Sequence, residues 1–298
     1  MRYNTLKKTG LQVSQASFGC MSLKPDATNS NTIIAQAIAG GINLFDTADL
    51  YDKGQNEVLL GNALKGKRKD VIISTKVGNQ WRPDGSGWDW NPRKQYILKA
   101  VDESLRRLQT DYIDLYLLHG GTMEDPFDDT IEAFERLVEN GKIRGYGLSS
   151  IRPNVIREFV QRSNMAVVMT QYSLLDRRPE EATLDLLLQN QIGVLARGTV
   201  ASGLLACKPA KEYLGLPEKE VAHIQKQLAA QVPEGSTAGE TALRYALGHP
   251  GITTAVVGIR TPQQLEEAVA AIKQPALQSE ERAALAGIWP GNVYTEHR

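Results

Sequence analysis

The sequence has only two cysteines, Cys20 and Cys207, in 298 residues. That excludes a disulfide framework and a cysteine-built zinc site, and it fits a reducing compartment. No apolar run reaches the roughly 18 residues that a membrane-spanning helix needs. The opening Met1-Arg2-Tyr3-Asn4-Thr5-Leu6-Lys7-Lys8 lacks the apolar centre of a secretion signal. A cytoplasmic protein with no membrane partner is therefore expected. An excess of one charge is missing as well: 34 basic and 34 acidic side chains leave a formal net charge of zero. Nothing electrostatic then points to a nucleic acid. No metal is expected. Low-complexity linkers are also absent, so residues 1–298 read as one domain; the oligomeric state stays open, with a monomer compatible.

What is present is an alternation. Short apolar runs, turns and amphipathic stretches follow one another, which is the pattern of a parallel sheet covered by helices. The runs are Ala16–Cys20, Ile42–Asp46, Val71–Lys76, Ile113–His119, Ile143–Leu148, Val167–Gln171, Ile192–Arg197 and Thr254–Gly258. Eight of them predict an α/β fold of the closed (β/α)8 TIM-barrel type rather than an open doubly wound sheet. Apolar residues at three- and four-residue intervals predict helices over Thr32–Ala39, Glu57–Leu64, Arg93–Leu108, Thr130–Asn140 and Asn154–Gln161. Pro92 fits a helix start and Gly141 a helix end. An insertion over Ala206–Ser236 precedes a helix at Thr237–Leu247. Tyr3–Leu6 and Gln12–Ser14 flank Thr9-Gly10 and read as an N-terminal β-hairpin closing the barrel floor. Ser279–Ile288 reads as one more, C-terminal helix outside the barrel.

A barrel of this kind gathers its chemistry at the C-terminal strand ends. There stand Gly19-Cys20-Met21, Asp46 with Tyr51 in the following loop, Lys76, His119, Ser149-Ser150, Gln171, Arg197-Gly198 and Gly258. A phenol titrates near 10, and an ammonium beside it lowers that value. Lys76 is placed to act so on Tyr51, with Asp46 fixing Lys76 and His119 holding the same substrate oxygen. Such a set stabilises charge developing on a carbonyl oxygen and protonates it. It supplies no hydride, so a cofactor must. Taken singly each residue has a plainer role: Asp46 as a cap or structural ion-pair partner of Lys76, Tyr51 as a packed aromatic, His119 as a core histidine. The loop Asn79–Pro92 carries Trp81, Trp88 and Trp90. These read as walls of a substrate pocket on the catalytic face, with one of the three packing the loop down. Gly120-Gly121-Thr122-Met123 and the tail Asn292–Arg298 are further candidates to reach the pocket.

The segment Gly41-Ile42-Asn43-Leu44-Phe45-Asp46-Thr47-Ala48-Asp49-Leu50-Tyr51 resembles the signature of the aldo-keto reductase superfamily. So do Asn56-Glu57, Val71–Gly78, Ser104–Leu108, Asp111–His119 and Gly141–Ser149, in order along the chain. The likeness is greatest to bacterial members. It implies reduction of an aldehyde or ketone by a nicotinamide cofactor, with Tyr51 as proton donor, Lys76 and Asp46 tuning it, and His119 shaping the oxyanion pocket. It also implies that Ser149, Ser150 and Gln171 hold the nicotinamide amide, with Ser150 standing where asparagine is usual. Arg197 replaces a stacking aromatic, and is expected either to stack on the nicotinamide or to pair with phosphate. Gly198, Thr199, Val200, Ser202 and Leu205 resemble the loop over the pyrophosphate. Gly258, Arg260 and Gln264 resemble the adenosine-phosphate site, with Ala268 in place of a common asparagine. Arg260 beside the start of the Pro262 helix favours NADPH over NADH. Gly19, Cys20 and Met21 complete the expected cofactor shell. Two alternatives stay open: a non-catalytic NADPH-binding regulatory subunit, and a Schiff-base aldolase using Lys76.

Overall fold

The eight apolar runs become eight parallel strands, because β-branched and leucine-rich segments bounded by turns are what a sheet buried on both faces requires. The computed structural model describes residues 1–23 and 27–298. Its barrel strands are Ala16–Gly19, Leu44–Asp46, Ile72–Val77, Ile113–Leu118, Ile143–Ser149, Val167–Gln171, Gly193–Arg197 and Thr254–Gly258. Each pairs with the next, and the eighth pairs with the first, so the sheet closes. At Gly147 this pairing leaves no room for a side chain, and at Gly193 the Leu6 side chain from the barrel floor takes the space. A Cβ on Gly147 would sit 1.9 Å from the Val167 carbonyl, and one on Gly193 would sit 2.2 Å from Leu6.

The helices form the outer ring. Lys94–Leu108 turns Ile97, Ala100, Val101, Ser104 and Leu108 inward, the three- and four-residue spacing of one helical face. Phe127–Glu139 ends at Asn140, and Gly141 follows with φ of 70°, a left-handed value that glycine adopts without strain. The insertion after the seventh strand is not irregular throughout, for it contains the helix Glu218–Ala229. Gln225 of that helix donates to the carbonyls of Leu204 and Lys208 at 2.6 and 3.0 Å, which ties the insertion to the loop leaving the strand. Thr237 caps Ala238–Leu247 in a reciprocal capping box with Glu240. The last helix, Ser279–Ala286, is anchored by Arg282 on Glu180 and on the Tyr172 hydroxyl.

The expected hairpin is present, Tyr3–Thr5 against Gln12–Ser14. Val13 within it and Leu6 next to it are fully buried among Leu44, Ile72, Leu115, Val167 and Leu195 inside the barrel. The hairpin is thus a floor at the N-terminal strand ends, and the opposite end is the one that stays open. Among the described residues no helix is long and apolar enough to cross a membrane, and no group of histidine, cysteine and carboxylate side chains is placed to hold a metal ion.

Candidate active site

The open end carries a cleft of about 980 Å³. At its base the second and third strands, paired side by side, bring Asp46 and Lys76 together. The Lys76 ammonium is 2.7 Å from Asp46 Oδ2 and 2.6 Å from the Thr47 carbonyl, and it donates to the Tyr51 hydroxyl at 3.4 Å. All three ammonium protons therefore have acceptors. Ser74 donates to the other Asp46 oxygen at 2.9 Å. Burial works against the charge on Lys76, but Asp46 and Tyr51 hold its pKa above the ordinary value. Burial likewise pushes Asp46 up, and Lys76 and Ser74 offset part of the rise. Lys76 therefore stays charged at neutral pH.

Tyr51 reaches this pair because the chain reverses sharply behind it: Asp52, Lys53 and Gly54 all have positive φ. Its phenol corrects one expectation. Burial raises its pKa above 10, and the Lys76 charge offsets only part of that. Desolvation of the phenolate is the larger effect, and the nearby Asp46 charge adds to the rise. Tyr51 thus keeps its proton at neutral pH. His119 meets Tyr51 edge-on, with ring centroids 5.9 Å apart and planes at 84°. Its Nδ1 is buried without a hydrogen-bond partner. Its pKa is pushed down to about 3, chiefly by burial, with Lys76 and Arg197 adding to the effect. It is a neutral imidazole.

The residues expected around a cofactor fall into two groups. Gly19, Met21, Asp46, Ser149, Ser150, Gln171, Arg197, Gly198, Thr199, Val200, Ser202, Gly258, Arg260 and Gln264 all line the cleft. Cys20 and Leu205 do not; both are buried in the core behind it. Cys20 faces inward because it closes a tight turn whose carbonyl accepts from Leu23 and from Asn56. Ala268 is also a core residue. Gln171 is more engaged than expected. Its amide nitrogen donates to Asp176 at 2.9 Å and to the Tyr213 hydroxyl at 3.2 Å, and its oxygen accepts from Arg197 at 2.9 Å. Only one lone pair of that oxygen is left for a ligand. Arg197, for its part, is committed to Gln171 rather than lying free.

On the other side, the tryptophan loop is not a plain loop. Asn79–Trp81 and Trp88–Trp90 pair as a short antiparallel hairpin. Trp88 and Trp90 line the cleft. Trp90 is fixed by its indole N–H on Asp125 at 2.8 Å, and its ring covers Gly78 and Gly120 so closely that no Cβ would fit on Gly78. Trp81 does not line the cleft; it lies under Lys53, whose ammonium is 5.3 Å from its ring. Gly120, Gly121 and Thr122 reach the cleft, but Met123 points to solvent. None of the tail Asn292–Arg298 lines it. The tail runs behind the wall instead, with Asn292 accepting from Arg177, and Tyr294 under Arg178.

Several lining residues carry no signal in the sequence. Leu50, Ile151, Arg152, Lys208 and Tyr213 belong to this group. Asp176 lies behind them, fully buried, and holds both Gln171 and Arg178. Such residues sit in irregular loops, where no periodicity tells an inward side chain from an outward one.

Comparison with known proteins follows the same lines. The model of the Aldo/keto reductase family matches residues 16–290. The uncharacterized oxidoreductase YqkF of Bacillus subtilis is 45% identical over the full length of both chains. The NADH-specific methylglyoxal reductase of Escherichia coli is 30% identical, over 80% of this chain and 81% of its own. Among solved structures, the holo form of the aldo-keto reductase AKR11C1 from Bacillus halodurans superimposes with a TM-score of 0.95 at 46% identity. That match covers 100% of this chain and 99% of the other.

Proposed function

Since the chain belongs to the aldo/keto reductase family, an oxidoreductase family that uses nicotinamide cofactors, we propose that it reduces an aldehyde or ketone to the alcohol with NADPH, Tyr51 giving the proton. The observation that carries this reading is the Asp46–Lys76–Tyr51 chain of contacts opening onto the cleft beside a neutral His119. A proton donor must hold its proton before the reaction, and Tyr51 does. Once the proton has left, the phenolate faces an ammonium that cannot turn away, because Asp46 and the Thr47 carbonyl fix it. Neutral His119 orients the substrate oxygen without competing as an acid.

The cofactor fits the remaining groups. The cleft has room for a dinucleotide and a small substrate together. Ser149, Ser150 and the free lone pair of Gln171 offer hydrogen bonds for a carboxamide at one end. At the other end Thr261 and Pro262 open the helix Pro262–Lys273, whose first N–H groups suit an anion. Exposed Arg260 beside them is the reason for choosing NADPH. One relative is named as NADH-specific, so family membership alone does not fix this choice. When bound, the cofactor supplies the hydride.

The aldolase alternative needs a neutral amine at Lys76, whereas its ammonium is held charged with every proton engaged. A panel of aldehydes and ketones run with NADPH and NADH separates the readings. Loss of reduced-nicotinamide absorbance, faster with NADPH, is expected. In Tyr51→Phe the rate should fall by about 10²–10⁴-fold, with NADPH binding by fluorescence titration intact. Tight NADPH binding without turnover across the panel would instead favour a regulatory subunit, and an unchanged rate in the variant would remove Tyr51 from the mechanism.

A further inference from the structure

Charge along the cleft is one-sided. Arg152, Arg197, Lys208 and Arg260 line it, against a single carboxylate among the described residues, Asp46, which Lys76 already neutralises. Arg197 ends the seventh strand and Lys208 and Arg260 follow the seventh and eighth, on the side where the phosphates of the proposed cofactor belong. Arg152 does not. It follows the fifth strand, and its Nη1 donates to the Gly121 carbonyl at 2.8 Å, two residues beyond His119. That bond holds the guanidinium between the loops after the fourth and fifth strands, on the histidine side of the cleft. No carboxylate among the described residues lies within ion-pair distance of it. Asp125, in the same loop as Gly121, commits its oxygens to Trp90 and Thr122.

A guanidinium stays protonated at any physiological pH and presents a planar fork that matches a carboxylate. Here the fork is half-buried and tethered at one nitrogen, so little freedom is left to lose on meeting an anion. Trp88, Trp90 and Ile151 line the same cleft, and their apolar surfaces suit the short carbon chain between an acid group and a carbonyl. We infer that Arg152 is the anchor for a carboxylate on the substrate, so that the carbonyl compounds this cleft selects are acids: short semialdehydes or keto acids. This rests on the reductase reading above.

The test compares succinic semialdehyde with its methyl ester, which has the same chain and no charge, in the wild type and in Arg152→Gln. The glutamine amide keeps a donor for the Gly121 carbonyl. In the wild type kcat/KM should favour the acid. In Arg152→Gln it should fall by about 10-fold or more for the acid, mostly through KM, and stay within about twofold for the ester. The KM for NADPH should not move. A wild type that reduces both compounds equally well, an equal loss on both in the variant, or a raised KM for NADPH would each overturn the anchor while leaving the reductase standing. Absence of turnover with either compound and with the whole carbonyl panel would overturn the reductase reading itself, and the anchor with it.

Discussion

At the scale of single residues, two signs decide the site. Lys76 was expected to draw the Tyr51 pKa down; burial draws it up instead, and the proton stays on the phenol. His119 is driven the other way, down to about 3, by burial and two nearby cations. The native protein therefore leaves His119 neutral across the working range, and no acid limb of a kcat/KM profile between about pH 5 and 8 should belong to it. A limb near 6.5 that disappears in His119→Gln would contradict that. The same shift affects stability. Between about 6.5 and 3 the unfolded chain binds a proton at this histidine that the native protein does not, so its contribution to stability falls as pH is lowered through that window. Denaturant midpoints for the wild type and His119→Gln, compared at pH 7 and pH 5, should show the gap moving in favour of the variant. The candidate set could be picked out because unlike residues at neighbouring strand ends, with Tyr51 in the loop between them, suit one reaction. The neighbours that hold Gln171 could not, since Asp176 and Tyr213 lie in turns whose side-chain directions only the folded chain fixes.

At the scale of elements, strands were easier to find than their connections. Apolar runs marked all eight barrel strands to within two residues at their ends. The tryptophan segment was missed as a hairpin because its strands are three residues each, too short for alternation to declare itself. The helix Thr183–Gln189, a bare seven residues, escaped for a similar reason. The N-terminal hairpin was legible from its turn, and its role rests on Leu6. That side chain is fully buried against the inner wall and touches the place where Gly193 leaves space. Leu6→Ala should lower stability by about 2–5 kcal/mol in chemical denaturation. Its kcat should be preserved, because the contacts of Leu6 lie at the other end of the barrel from Tyr51. A large loss of kcat with unchanged stability would mean that the two ends are coupled.

At the scale of the molecule, the closed barrel orders everything else. Its topology follows from eight parallel strands, and topology alone carries Asp46, Lys76, His119, Ser149, Gln171 and Arg197 to one rim. That much the sequence could foretell. Which rim residues turn inward depends on loop conformation, and so Cys20, Leu205 and Trp81 fell outside the cleft. Filling the cleft should stabilise the whole fold. At a concentration 100 times its Kd, NADPH should add about 2.7 kcal/mol to unfolding. Thermal unfolding with NADPH, NADH and neither should give the largest rise in Tm with NADPH. No rise with either nucleotide would argue against a cofactor site.

The plugged floor has a consequence for how such a protein can change. Leu6, Val13 and the inner leucines pack one end, and the cleft at the other is lined by rim residues such as Trp88, Arg152 and Lys208. Loops at the rim can be exchanged or lengthened without opening the plug. A lineage built this way can shed one substrate and acquire another while its scaffold is left alone, and a designer who regrafts the rim inherits the same freedom.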